Sequence, residues 1–335
     1  MGRELAAFES AFGAQLGVDY VAGTGNGMDS IEIALRAIGV GEGDEVITTP
    51  MTAFATVLAV IRAGATPVLA DISLESGLMD PNSAKLMITG KTKAILLVHL
   101  FGHVDRMDEW FEIAREYGLH LVEDCAQAVL ASWEGRFAGS LGSAGAFSFY
   151  PSKNLGALGD GGAVTSNDAL IGGQASVLRN YGQSQRYSHE LLGLNSRLDE
   201  LQAGFLAEKL KEIEKLTAAR RHVAEFYFAH ISSEYLAPLN PPRNMENHVF
   251  HLFVLRSVYR DELIEYLHNE GIDSLIHYPV PTHKQLALRD TPLAGLFLPR
   301  SEQFANEAIS IPCRPDLSAG DMKFIVKTLN NFRPA

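Results

Sequence analysis

Apolar positions recur along this chain with two periods, and the period changes from segment to segment. Leu5, Phe8, Phe12 and Leu16 share one face of a helix over 3–16, and Met28, Ile31, Leu35 and Ile38 do the same over 28–38. Short apolar runs at 45–49 and 67–70 have the length of buried strands. The run at 93–100 (KAILLVHL) is longer and nearly continuous, as a parallel strand covered on both faces must be. A helix over 106–117 and a strand over 120–123 follow. This alternation predicts an α/β fold: a large, mostly parallel sheet with helices on both sides.

From about residue 196 the pattern lengthens. Helical periodicity runs through 197–230, with Leu198, Leu201, Phe205, Leu210 and Ile213 on one stripe, and Pro238, Pro241 and Pro242 close it. A strand over 249–255, a helix over 260–270 and a last helix over 319–331 complete the chain. The predicted organisation is a large domain, 1–210, joined through the long helix to a smaller α+β domain, 211–335.

Composition narrows the function classes. The 335 residues are 47% hydrophobic and 20% charged, ordinary for a globular enzyme with a sizeable core. A net charge of −12 argues against a nucleic-acid partner, which needs basic patches to neutralise phosphates. No apolar run approaches the roughly 18–20 residues that span a bilayer, and the N-terminus lacks the pattern of a secretory signal. Two cysteines, Cys125 and Cys313, do not make a disulfide scaffold, which suits a cytoplasmic location. Cys125 reads as a small buried hydrophobe. No Cys/His cluster has zinc spacing, so no metal is expected.

The chemistry gathers around Lys153. An apolar strand ends in Glu123-Asp124, a second apolar strand follows, and Lys153 then stands 29 residues after Asp124 in a turn closed by Gly159-Asp160-Gly161-Gly162. A lysine attacks a carbonyl only as the neutral amine, so it needs a protected setting. An aspartate at the C-terminal end of a strand lies where open α/β sheets place ligands, and can pair with a pyridinium nitrogen. The combination suits a Schiff-base lysine serving pyridoxal phosphate. Upstream, Gly25-Asn26-Gly27-Met28 enters a helix, whose free N-terminal amides suit a phosphate.

These residues resemble the DegT/DnrJ/EryC1/StrS family of sugar aminotransferases, of the aspartate-aminotransferase-like fold type I. Glu123-Asp124-Cys125-Ala126-Gln127-Ala128 is similar to the family's EDAAQA, Phe147 to Leu155 to its FSFxPTKNL, and Gly159 to Gly162 to its G[ED]GG. Gly41 to Val46, Gly64 to Val68, Gly193 to Leu198 and His277-Tyr278-Pro279 fall in family order, so the resemblance covers nearly the whole chain. It implies Lys153 as the catalytic residue. It selects Asp124 over Glu123 for the ring nitrogen, and places Gln127 near the pyridoxal hydroxyl. Ser148, alternating with outward Phe147 and Phe149, would bond the phosphate with Gly27 and Met28. Asn195 matches a position reaching the cofactor phosphate of the other subunit of a homodimer with shared active sites; a helix N-cap is the equal alternative. Arg179 and Arg186 are candidates for a substrate diphosphate. Tyr278 and His283 are similar to the family's substrate-side residues, while His277 reads as structural.

The chain departs from the family in three places. Met28 stands where the family often has a threonine, so only its amide can serve the phosphate. Ala53 replaces the aromatic that commonly stacks on the ring, leaving Phe54 or another side chain to cover that face. The roughly 25–30 residues the family carries before the segment matching Gly2 to Leu5 are absent, which leads to the expectation of a more open substrate mouth. Lys153, where the family's dehydrating members typically have histidine, implies transamination. The implied substrates are a dTDP-3-keto-6-deoxyhexose and glutamate. A 4-keto sugar nucleotide or an aminocyclitol precursor is the alternative within the class, and a catalytically silent regulatory relative the alternative outside it.

Overall fold

In the computed structural model, which describes residues 1–334, the alternation resolves into a seven-stranded sheet flanked by helices. Its strands are β1 (Tyr20–Thr24), β2 (Glu45–Thr48), β3 (Thr66–Leu69), β4 (Thr92–Val98), β5 (His120–Asp124), β6 (Ala144–Ser148) and β7 (Gly162–Ser166). They lie in the order β1-β7-β6-β5-β4-β2-β3. All run in one direction except β7, which pairs antiparallel with both β6 and β1. The helices of this region are α1 (Arg3–Leu16), α2 (Gly27–Ala37), α3 (Phe54–Arg62), α4 (Pro81–Leu86), α5 (Met107–Tyr117), α6 (Ala169–Leu178) and α7 (Glu200–Leu210).

Side chains alternate across the sheet and supply two cores. Ile47 and Leu97 join Leu5, Phe8, Phe12, Trp110 and Leu206 on one face. Their neighbours Val46 and Leu96 join Ile31, Leu35, Val122 and Val164 on the other. Phe147 and Phe149 are not outward, as the sequence suggested. Both are fully buried and meet Phe12 edge-on at 5.0 and 5.5 Å. Ser148 is thereby turned to the opposite side of β6, toward α2.

The long helix predicted over 197–230 is two helices. α7 ends at Leu210, and α8 (Ile213–His230) starts after Lys211 and Glu212. α7 and the start of α8, through Ile213, serve the core of the large sheet, and the rest of α8 serves another. In α7 it is Ala203, Leu206 and Leu210 that are buried, against α1, while Leu201 and Phe205 are 70% and 41% exposed. In α8, Val223, Ala224 and Tyr227 pack instead with Phe253, Leu263, Ile309 and Leu329. That core belongs to a three-stranded antiparallel sheet of β8 (Ala237–Pro238), β9 (Phe253–Arg256) and β10 (Ala308–Ile311), covered by α9 (Arg260–Asn269), α10 (Pro299–Glu307) and α11 (Ala319–Asn331). The strand predicted over 249–255 begins only at Phe253, because Phe250 has φ 45°, which a strand does not tolerate. The run at 93–100 is a strand only to Val98, and Leu100–Gly102 form a 3₁₀ turn.

Candidate active site

Two adjacent carboxyls end β5, and the pleat sends them to opposite sides. Glu123 is fully buried and accepts the backbone N–H groups of Gly139, Leu141 and Gly142 at 3.0, 2.8 and 2.8 Å, and it meets His99 Nε2 at 2.8 Å. Its capacity goes into holding that loop and His99. Asp124 faces the other way. Thr56 Oγ1 donates to Asp124 Oδ2 at 2.8 Å and the Ala126 N–H donates to Oδ1 at 3.1 Å, while Thr52 Oγ1 stands 2.8 Å from Thr56 Oγ1. Burial pushes the Asp124 carboxyl up from its usual range, against the opposing pull of those two hydrogen bonds and of Lys153.

Lys153 lies in the β6–β7 connection, its N–H donated to the Tyr150 carbonyl at 2.8 Å. Burial pushes its amine down from 10.5, opposed by Asp124. Among the described residues its Nζ makes no hydrogen bond or ion pair. It is a half-buried amine held toward neutrality beside a buried acid, with its lone pair uncommitted.

The start of α2 closes the third side. Asn26 caps the helix, its Oδ1 accepting the Asp29 N–H at 2.9 Å. A Cβ built on Gly27 would lie 2.6 Å from Ser148 Cβ and 3.1 Å from its Oγ. Only glycine lets the helix N-terminus, with its unpartnered first amides, stand directly against the serine hydroxyl. Gly27→Ala is therefore expected to lower fold stability by about 1–3 kcal/mol, the usual cost of overpacking, as a denaturant melt reads. On the fourth side, Gln127 Oε1 accepts the Phe101 N–H at 2.5 Å, which leaves Nε2 as donor to the Tyr278 hydroxyl at 3.3 Å. Burial, then the nearby Asp124 charge, push that hydroxyl up to about 12.

The model of the DegT/DnrJ/EryC1/StrS aminotransferase family matches residues 1–330. The chain belongs to this family. A relative from Streptomyces venezuelae named dTDP-3-amino-3,4,6-trideoxy-alpha-D-glucose transaminase is 43% identical over 95% of this chain and 84% of its own. One from Geobacillus stearothermophilus, named pleiotropic regulatory protein, is 40% identical over 92% and 84%. Among solved structures, that of S. venezuelae DesV in complex with a ketimine intermediate superposes with a TM-score of 0.93, at 41% identity, over 98% of this chain and 89% of that one.

The family's cofactor chemistry fits the donors present. A buried carboxyl, an amine with no hydrogen bond among the described residues and a glycine cradle against a serine hydroxyl match the ring nitrogen, aldehyde and phosphate of pyridoxal phosphate. The other residues to which the sequence pointed have the following surroundings. Arg179 is 4% exposed; its Nη1 pairs with Glu9 and donates to the Gly23 carbonyl at 2.8 Å. It ties the end of α6 to α1 and β1, which corrects its assignment to a diphosphate. His283 is 1% exposed and its Nε2 meets Glu302 at 3.1 Å, so it anchors α10 rather than facing a substrate. Arg186 is exposed on a hairpin near 183–189, with its guanidinium over the Tyr187 ring. Asn195 is exposed and accepts from Arg197 Nη2 at 2.6 Å; the N-cap of α7 is Asp199, which removes the capping alternative. Met28 is half-buried, its sulfur turned toward Arg62 on α3. Phe54 packs with Val57, Leu69, Leu288, Leu293 and Leu298, so it is committed to that cluster rather than to a ring face.

Sequence reading missed Thr56, His99 and His251. Thr56 follows Thr52 by four residues, a visible helical spacing that was available as a signal. His99 and His251 meet their partners only through the sheet register and a long-range loop contact. His277, read as structural, does bond through Nδ1 to Ser310 Oγ at 2.9 Å, and burial with the Lys153 charge holds it below its usual range.

Proposed function

We propose that this chain transfers an amino group from glutamate to a nucleotide-linked ketosugar, a dTDP-3-keto-6-deoxyhexose, using pyridoxal phosphate linked through Lys153. The observation that carries the reading is the half-buried Lys153 beside the buried Asp124, its Nζ without a hydrogen bond among the described residues. When bound, the cofactor supplies an electrophilic carbon for amines and a ring that takes up the electrons of a departing proton. Asp124 holds the proton on the ring nitrogen, and Thr56 and Ala126 fix the orientation of its carboxyl. Gln127 presents Nε2 to the ring hydroxyl because Phe101 occupies its oxygen. The amides of Gly27 and Met28 and the Ser148 hydroxyl take the phosphate. Lys153 Nζ, as the neutral amine, would hold the cofactor and, once freed, would take up and return the substrate proton. Tyr278, bonded to Gln127, stands on the substrate side.

The name of the Streptomyces venezuelae relative supports the 3-keto substrate. We read the molecule as a cytoplasmic homodimer with shared sites, built from a large domain, 1–210, and a small one, 211–335. Support comes from the separate core under α8 and from exposed Leu158, Leu192 and Leu201, 60%, 89% and 70% accessible on the single chain. Asn195 crosses to the neighbouring phosphate, and Arg186 from its exposed hairpin meets the diphosphate. The name of the Geobacillus relative supports a second reading, a regulator that binds without turnover. Glutamate added to the loaded protein separates them: the visible band bleaches with release of 2-oxoglutarate, and the ketosugar restores it as an aminosugar forms. An unchanged spectrum with no 2-oxoglutarate means the regulatory reading. Mixed Lys153→Ala and Asn195→Ala subunits test the shared site, since one site of each hybrid carries neither lesion. Hybrids as inactive as both parents, with mixed dimers demonstrated, overturn it.

A further inference from the structure

The connection between β8 and β9 leaves its own sheet and dips onto the large one, where it is pinned from two directions. The Val104 N–H donates to the Asn247 carbonyl at 2.8 Å and the Val249 N–H to the Gly102 carbonyl at 3.0 Å. Gly102 sits at φ 94°, and a Cβ there would lie 2.6 Å from Val249 and 2.7 Å from the Gln127 carbonyl, so this contact is as close as backbone permits. From α8, Arg221 Nε donates to the His248 carbonyl at 3.0 Å, and Arg220 Nη1 donates to the carbonyls of Phe250 and Cys313 at 3.3 and 2.5 Å.

The lysine loop joins this segment through the residue next to Lys153. Asn154 Nδ2 donates to the Val249 carbonyl at 3.3 Å. With that nitrogen committed, Asn154 Oδ1 is the acceptor, and it takes His251 Nδ1 at 3.0 Å. The assignment follows from the network: the ring carries its proton on Nδ1 and keeps Nε2 bare. Burial and the charges of Lys153, Arg220 and His277 all hold His251 well below its usual range, so this neutral tautomer persists through neutral pH. The charged groups facing Lys153 itself are Asp124, on β5, and, when protonated, His251 and His277.

We propose that Asn154 and His251 form a positioning pair for Lys153, clamping the lysine loop to the 248–251 segment so that the freed amine returns to the same place after each half-reaction. The clamp ties the segment leading into β9 to the catalytic loop by two hydrogen bonds at one side chain, one donated and one accepted by Asn154. Neither residue need touch the substrate. The inference rests on the reading of Lys153 as the attachment lysine.

The test strips the protein of cofactor, adds pyridoxal phosphate, and follows the lysine-linked visible band. Asn154→Ala and His251→Phe, which keeps the ring volume without the Nδ1 donor, are each expected to slow linking about tenfold. Their double variant is expected to be no slower than the slower single, as for residues acting as one unit. The kcat falls in step while the KM for the sugar stays within about twofold. His251→Asn, whose amide presents a donor near the Nδ1 position, recovers the rate to within about threefold. Wild-type linking in the single variants, a double effect near 100-fold, or a His251→Asn variant no better than His251→Phe overturns the proposal. If Asn154→Ala does not fold, the two His251 variants decide alone. Lys153→Ala separates the two ideas. A band that survives it means the lysine reading has failed; a band lost there but formed at wild-type rate in Asn154→Ala and His251→Phe means only the clamp has.

Discussion

Lys153→Ala is expected to lose transamination by at least about 10⁴-fold, together with the lysine-linked visible band, because it removes both the attacking amine and the group that moves the proton. Lys153→Arg fails equally, since a guanidinium stays protonated and cannot attack. Stability is expected to respond differently. Burial depresses the amine below 10.5 in the folded protein, so between the folded and unfolded values the unfolded chain binds more protons and stability rises with pH. Below that window the charged lysine works against folding, eased by Asp124 but by no hydrogen bond among the described residues. The cofactor-free alanine variant therefore melts no lower than wild type at neutral pH, and its advantage shrinks as pH climbs toward 10.5. Spectra and melting curves over pH check both halves. A variant that retains turnover removes Lys153 from the mechanism. A cofactor-free variant that melts far below wild type shows that the lysine was supporting the fold.

The period of the apolar residues carried the α/β sheet because strands buried on both faces and amphipathic helices leave different marks. Leu96 and Leu97 look alike in sequence, yet they belong to two cores, which only the pleat separates. Where one stripe hid two helices, at Lys211 and Glu212, the pattern was blind because Leu210 and Ile213, on either side of the break, are buried in one core. Lys153 and the Glu123-Asp124 pair stood out as candidates through local context, a glycine-rich turn and a strand end, and the resemblance chose Asp124 between the two acids. Arg179 and His283 were misread for the opposite reason. A charged residue in a loop looks available, and nothing local reveals that Glu9 lies 170 residues away in sequence and beside Arg179 in space. His251 was invisible because its meaning depends on Asn154, 97 residues earlier.

Asp124→Asn and Glu123→Gln, one residue apart, are expected to give opposite phenotypes. Asparagine keeps the volume of Asp124 and still bonds Thr56 and Ala126, but it carries no charge to hold a proton on the ring nitrogen. Activity is expected to fall by about 10²–10⁴-fold, the range for removing one proton-controlling group. Without cofactor the substitution costs no stability. Burial raises the Asp124 pKa, so in the window above 3.8 the folded state binds more protons than the unfolded one and stability falls as pH rises. Asparagine removes that penalty, and the stripped variant melts at least as high as wild type at neutral pH. Adding pyridoxal phosphate reverses the order, because only the carboxylate gains a cationic partner. Glu123→Gln does the reverse. An amide among three backbone donors leaves at least one N–H facing another, at about 1–3 kcal/mol for each orphaned donor. It is expected to lower the melting temperature while kcat per folded molecule stays within severalfold of wild type. Thermal melts with and without cofactor, beside kcat on the folded fraction, separate the two residues. Equal activity losses with equal melting would mean that the pair acts as one site, and that the pleat does not divide chemistry from structure here.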